Sequence, residues 1–334
     1  MKLKKFFIPL LSIMLLSLTG CFEKEELIPR TEINEIRIPY SLYEFQTYYR
    51  LEDETIVSHN GFEEWDLGFE SAENGFAVIL NSSRYMHAGY AGTTDFDAVI
   101  SNSADTMIFD DSSGDLRKCA LSGWVDATDP LNPVFSGNVY IIDRGVNESG
   151  ESLGLLKLLV EKLEDETFYI RFSNLDGTND HSCQVVKDHT LNFTLFSFDD
   201  GGKTVPIQPP ESDWDLCFTR YSTVIEDNYG VPTPYIVRGV FINNPAGVMA
   251  AVDTVNPYYD INLSTIQGYT FSSRQDVIGY EWKEYRDESY TLIDKISYVI
   301  RDSKGGYYKI RFTDYFNEAG QRGYPAFEQI RLPE

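Results

Sequence analysis

Short runs in which large apolar residues alternate with small or polar ones recur along the chain, separated by turns rich in Gly, Asn and Asp. A period of two puts alternate side chains on one face, the mark of a strand with one buried side. The clearest run is Trp65-Asp66-Leu67-Gly68-Phe69-Glu70. It returns 149 residues downstream as Trp214-Asp215-Leu216-Cys217-Phe218-Thr219-Arg220-Tyr221. Each copy follows an aromatic run and a short polar turn. Such recurrence in matching surroundings predicts a duplicated β unit, with Trp65 and Trp214 each expected to anchor one core.

Other anchors repeat in the same order. The aromatic run 43–49 corresponds to Phe193-Thr194-Leu195-Phe196-Ser197-Phe198, and the strand around Tyr140 to Ser297-Tyr298-Val299-Ile300-Arg301. Gly154-Leu155-Leu156-Lys157-Leu158-Leu159-Val160 reappears 152 residues on as Gly306-Tyr307-Tyr308-Lys309-Ile310-Arg311-Phe312. Phe168-Tyr169-Ile170-Arg171 reappears 159 residues on as Phe327-Glu328-Gln329-Ile330-Arg331. Slowly drifting offsets are what loop insertions between fixed strands produce. Residues 155–163 also suit a short helix by composition, but the repeat favours a strand. His59-Asn60-Gly61 is expected as a turn, and residues 82–115 as long loops with short strands. The fold class is therefore all-β: two tandem antiparallel domains, 34–180 and 185–334, after an N-terminal leader.

That leader is an address label rather than part of the fold. Lys2, Lys4 and Lys5 precede an apolar stretch over residues 6–16, too short to span a bilayer comfortably. Leu18-Thr19-Gly20-Cys21 has the form of a bacterial lipobox, so residues 1–20 are expected as a lipoprotein signal peptide and Cys21 as the lipidated residue. Its acyl chains would hold a soluble domain at a membrane. The acidic tether, residues 21–33, begins Cys21-Phe22-Glu23-Lys24-Glu25-Glu26. It resembles the export signal that sends lipoproteins of Bacteroidota-type bacteria to the outer face of the outer membrane.

Charge narrows the partners. Loss of residues 1–20 takes the net charge from −24 to −27. A chain this acidic, without a basic cluster, excludes nucleic acid as a ligand, because Lys and Arg supply most phosphate affinity. With Cys21 committed to lipid, Cys119, Cys183 and Cys217 remain, and none has the spacing of a zinc or redox pair. No GxSxG, HExxH, Walker or Rossmann pattern occurs in its required context, and no carboxylate pair is singled out. The expectation is a protein that is not an enzyme.

The residues quoted for the second unit, from Phe196 through Trp214 to Tyr221 and from Tyr298 to Tyr315, resemble the HmuY-like family of Bacteroidota haem-binding outer-membrane lipoproteins, here apparently as two copies. The resemblance implies an all-β, hand-like domain that binds haem and passes it to a TonB-dependent receptor, with His or Met as axial ligands. The candidate haem-binding residues are His87, Met86, Met107 and Met249. Adjacent residues of a strand face opposite ways, so Met86 and His87 are not expected to share one iron. His59, His181 and His189 read as solvated. The expected function is accessory capture of haem, or of a haemoprotein's haem, for uptake. The alternative is a non-haem adhesion or protein-interaction lipoprotein that keeps the fold without the ligand site.

Overall fold

The structure, a computed structural model, describes residues 35–227 and 229–333. The expected signal peptide, the lipidated Cys21 and the acidic tether lie outside the described residues. The chain enters with β1 (Glu35–Arg37), β2 (Phe45–Arg50) and β3 (Thr55–Gly61). It continues through β4 (Leu67–Glu70), β5 (Val78–Leu80) and β6 (His87–Tyr90), then a short pair, β7 (Val125–Asp126) and β8 (Val134–Phe135). Next come β9 (Val139–Asp143), β10 (Leu155–Glu164), β11 (Thr167–Asn174) and β12 (His181–Val186). They are followed by β13 (Phe193–Ser197), β14 (Lys203–Thr204), β15 (Leu216–Glu226) and β16 (Pro232–Ile242). The last strands are β17 (Met249–Asp253), a ribbon of β18 (Lys283–Arg286) and β19 (Ser289–Leu292), β20 (Ser297–Arg301), β21 (Tyr307–Phe316) and β22 (Arg322–Arg331). The protein is all-β and antiparallel throughout its main sheets.

Local patterning explains most of these strands. Residues 155–164 are a strand despite a helix-friendly composition, because β9 and β11 pair with β10 on its two edges; tertiary pairing overrides propensity here. His59-Asn60-Gly61 is not a turn. His59 and Asn60 sit in β3 opposite Thr47 and Gln46, and the reversal lies earlier, at residues 51–54, where Glu54 takes a left-handed φ of 58°.

Four sheets make two sandwich lobes. In the first, the sheet β14-β13-β4-β5 faces β12-β11-β10-β9-β6, and Leu67, Phe69, Trp124, Leu158, Phe168 and Phe196 are among the side chains filling the space between. In the second, β16-β15-β2-β3 faces β1-β22-β21-β20-β17 around Tyr49, Phe218, Val240, Trp282, Ile310 and Phe327. Both lobes bury one lysine on the equivalent strand, a polar cost offset by hydrogen bonds. Lys157 Nζ donates to the Phe96 and Val99 carbonyls, each at 2.9 Å, and Lys309 Nζ to those of Tyr258 and Ile261, each at 2.8 Å.

The lobes are not the two halves of the chain. Two consecutive domains would pair the aromatic strand 43–49 with the Trp65 strand, and the strand 193–198 with the Trp214 strand. Instead β2 pairs with β15, Tyr48 opposite Cys217, while β13 pairs with β4, Leu195 opposite Gly68. The outer edges follow suit. Strand β1 closes on β22, and β12 closes on β11. The second lobe is built from both ends of the chain, and the first lies within residues 67–204. Neither 34–180 nor 185–334 therefore holds a complete pair of sheets, and residues from Asn34 onward form one compact unit.

Candidate functional site

The two Trp-Asp copies meet where the lobes adjoin. Neither Trp65 nor Trp214 belongs to a sandwich core; the core tryptophans are Trp124 and Trp282. Each Trp-Asp dipeptide precedes its strand, which places the indole at the seam instead of between the sheets. The backbone around the two copies is held in the same way. Asp66 N–H donates to the Phe196 carbonyl at 2.8 Å and Asp215 N–H to that of Tyr49 at 2.9 Å. Asn81 Nδ2 donates to the Phe62 and Trp65 carbonyls at 2.7 and 2.8 Å, and Asn243 Nδ2 to those of Glu211 and Trp214, each at 2.9 Å. Periodicity does not reveal these two asparagines; each follows an apolar strand and looks like an ordinary turn residue.

Between the indoles lies a cavity of about 340 Å³ lined by residues of both lobes. The cross-strand trio Ile79–Gly68–Leu195 corresponds to Phe241–Cys217–Tyr48. One wall is thus aliphatic and the other aromatic, with Trp214 packed edge-on against Tyr48 at 5.0 Å between ring centres. Gly68 has no room for a side chain, since a Cβ there would stand 2.8 Å from Ile79 Cγ1. At the matching place Cys217 carries its thiol into the seam.

The polar groups of the cavity are unequal. Trp65 Nε1–H donates to Gln46 Oε1, across the seam, at 2.8 Å. The register that matches Tyr49 with Phe196 places Phe193 where Gln46 stands. Phe193 offers no acceptor, and Trp214 Nε1–H is buried without a partner. Asn192 Oδ1 is a second buried atom without a partner on the lining. Glu70, Asp110, Asp111 and Asp115 supply carboxylates, and no Lys, Arg or His lines the cavity. Asp110 accepts the Leu80 and Ala120 N–H groups, each at 2.7 Å, and burial pushes its carboxyl up to about 6. Asp111 and Asp115 face outward cations, Lys118 and Arg117. Cys119 and Cys217 are free thiols, and burial pushes both far up from the ordinary thiol range.

Haem does not fit this cavity. Its iron calls for an imidazole, thioether, thiolate or phenolate; the lining holds no His or Met, and burial disfavours the ionised forms of Cys119, Cys217 and Tyr48. Its two carboxylates would meet four more with no cation between.

The sequence-predicted residues lie elsewhere. Met86 is 1% exposed in the core of the first lobe. His87 is half-buried at the start of β6, an edge strand, and its ring stacks on Phe109 at 4.8 Å. Nδ1 lies 3.4 Å from the Tyr85 carbonyl and Nε2 3.8 Å from Asp143 Oδ2. Ala88 bridges to Ile108, so His87 and Met107 share the opposite face. Met107 stands beside His87, and its sulfur packs where a Gly89 side chain would be. Met249 is in the other lobe on β17, where Ala250 takes the core-facing position. Only His87 and Met107 are brought together, side by side on one sheet face. Two axial donors to one iron have to approach from opposite sides.

Curated proteins offer no match to this chain. Among solved structures it is similar to apo PinO from Porphyromonas gingivitis, at 10% identity and TM-score 0.29, covering 91% of this chain and 98% of that one. It is similar to a putative HmuY-like heme binding protein from Bacteroides vulgatus, at 18% identity and TM-score 0.19, covering 40% and 80%. It is also similar to an apo HmuY analog from Tannerella forsythia, at 15% identity and TM-score 0.18, covering 54% and 95%. The family model described as HmuY protein matches residues 42–328, and the chain therefore belongs to the HmuY family of binding proteins.

Proposed function

We propose that this chain is a lipid-anchored accessory of nutrient capture at the outer-membrane surface, taking up haem and handing it to a TonB-dependent receptor. The lipobox ending in Cys21 and the acidic residues after it support the anchor. Family membership supports a binding role. Recurrence of the Trp-Asp pair, of Asn81 and Asn243, and of Lys157 and Lys309 supports descent from two copies of one unit, whose N-terminal strands have since been exchanged.

The observation that carries the haem reading is the setting of His87. A neutral imidazole whose Nδ1–H is turned toward a carbonyl leaves Nε2 as its donor lone pair, the usual arrangement of a metal-bound histidine. Flanking Phe109 and Tyr85 rings offer apolar surface to a planar macrocycle. Haemin added to protein lacking residues 1–21 is expected to give a shifted Soret band, and His87→Ala to remove it. A Soret shift that survives His87→Ala takes iron contact away from His87; no shift in either redox state removes the haem reading.

One observation favours the second reading, a non-haem adhesion or protein-interaction lipoprotein. Asp143 sits close enough to Nε2 to pair with a protonated His87, which would occupy the nitrogen that iron needs.

A further inference from the structure

The seam cavity is separate from His87 and suits a different molecule. We propose that it binds a small aromatic organic cation bearing a hydrogen-bond-accepting oxygen. Three features specify that chemistry. The wall of Tyr48, Phe241 and Trp214 presents ring faces and edges to a flat apolar body, and such rings attract a cation when water is excluded. Every charged side chain on the lining is a carboxylate. Although Asp111 and Asp115 already pair with Lys118 and Arg117, Glu70 and Asp110 have no salt-bridge partner among the described residues and favour a cation over an anion. Trp214 is 7% exposed, and its unpaired Nε1–H lacks the acceptor that Gln46 gives to Trp65. An oxygen on the ligand satisfies that donor, and Asn192 Oδ1 is free to accept an ammonium proton. Leaving such groups unpaired is costly in a buried site.

Size agrees with this class. A volume of about 340 Å³ is at the small end of ligand pockets, which span about 300–1,000 Å³. It accommodates one bicyclic ring and a short side chain. The two lobes contribute opposite walls.

The test uses protein from residue 22 onward and three probes with one hydroxyindole ring: 5-hydroxytryptamine, 5-hydroxyindole and 5-hydroxyindole-3-acetate. Calorimetry is expected to show one site, with the amine about tenfold tighter than the neutral ring and the carboxylate weaker still. Equal affinities, or no heat from any probe at millimolar concentration, overturn the proposal. Trp214→Phe keeps an aromatic ring but removes the N–H together with the five-membered ring; it is expected to weaken the amine about fivefold, and unchanged affinity in a folded variant counts against the site. Should that variant fail to fold, thiol labelling of the unaltered protein decides. Cys119 and Cys217 line the cavity and Cys183 does not. Bound amine is expected to slow methanethiosulfonate labelling of the first two and leave Cys183 unchanged; rates that the amine leaves unchanged at all three place the ligand elsewhere.

Discussion

Asp66 and Asp215 each accept a backbone N–H from an exchanged strand, Phe198 N–H to Asp66 Oδ2 and Leu51 N–H to Asp215 Oδ2, both at 2.8 Å. Their electrostatic surroundings differ. Asp66 is wholly buried between Arg84 and Arg144, each 2.8 Å away. Asp215 has no basic side chain in salt-bridge contact among the described residues, and burial pushes its carboxyl up to about 6. The same backbone role is filled once by a buried ion network and once by a carboxylate whose charge burial disfavours. Conservation of a hydrogen-bond geometry does not fix the electrostatics around it.

The comparison is broken most directly by neutralising each acid. Asp66→Asn leaves two buried guanidinium groups uncompensated, and removal of one partner of such a pair is expected to cost about 3–5 kcal/mol in urea unfolding. A loss below about 1 kcal/mol, the scale of a surface pair, would show that the network is solvated. The indoles come next. Trp282→Ala empties a sandwich core and is expected to cost about 4 kcal/mol, whereas Trp214→Ala, beside an existing cavity, should cost nearer 3 kcal/mol. The reverse order would return Trp214 to a core.

Asp215 predicts a pH dependence. Its folded value of about 6 lies above the ordinary 3.8, so the folded state holds the proton longer than the unfolded state. Stability is then greatest below about pH 4 for this group, falls by about 2–3 kcal/mol as pH rises to about 6, and is flat beyond. Asp215→Asn keeps an acceptor for Leu51 and should be more stable than the parent at pH 8, with a shallower fall. Asp110, also near 6, maintains the rest of the slope. An unchanged pH profile in Asp215→Asn would mean that the carboxyl is hydrated.

The smallest expected effect is the most informative about topology. Cleavage at the exposed Asp176-Gly177 turn, between β11 and β12, should leave the two fragments eluting together without denaturant. Four strand pairings, β1 with β22, β2 with β15, β4 with β13 and β11 with β12, join them. Fragments that separate would point to strands paired within each half.

Alternation along the chain was enough to find β2, β4, β9 to β11, β13, β15 and β20 to β22, and to assign the all-β class. It could not identify the partner of β2. Strands as alike as 43–49 and 193–198 satisfy either neighbour, and register depends on contacts well over a hundred residues away. The tryptophans misled for a related reason. A large apolar residue just before a strand reads as core, but its direction depends on which lobe lies beside it. The seam cavity left a single trace, Phe193 standing where Gln46 stands in the other copy, and its meaning depends on knowing the exchange. Arg84 and Arg144 left none, since an arginine in a loop reads as solvated.

Closure of β1 on β22 also sets an order of assembly. Emerging N-terminus first, the chain presents β1 and the free edge of the β2–β3 hairpin long before their partners β22 and β15 exist. The first lobe has every strand it needs by residue 204, but the second waits for residues 326–328 to reach Glu35, Ile36 and Arg37. Closing so long a loop is slow. A chain broken off before β22 leaves an unpaired edge and an open core beside a finished lobe, a form that proteases recognise. Pairing of β22 with β1 thus reports that both edges of the second lobe are in place.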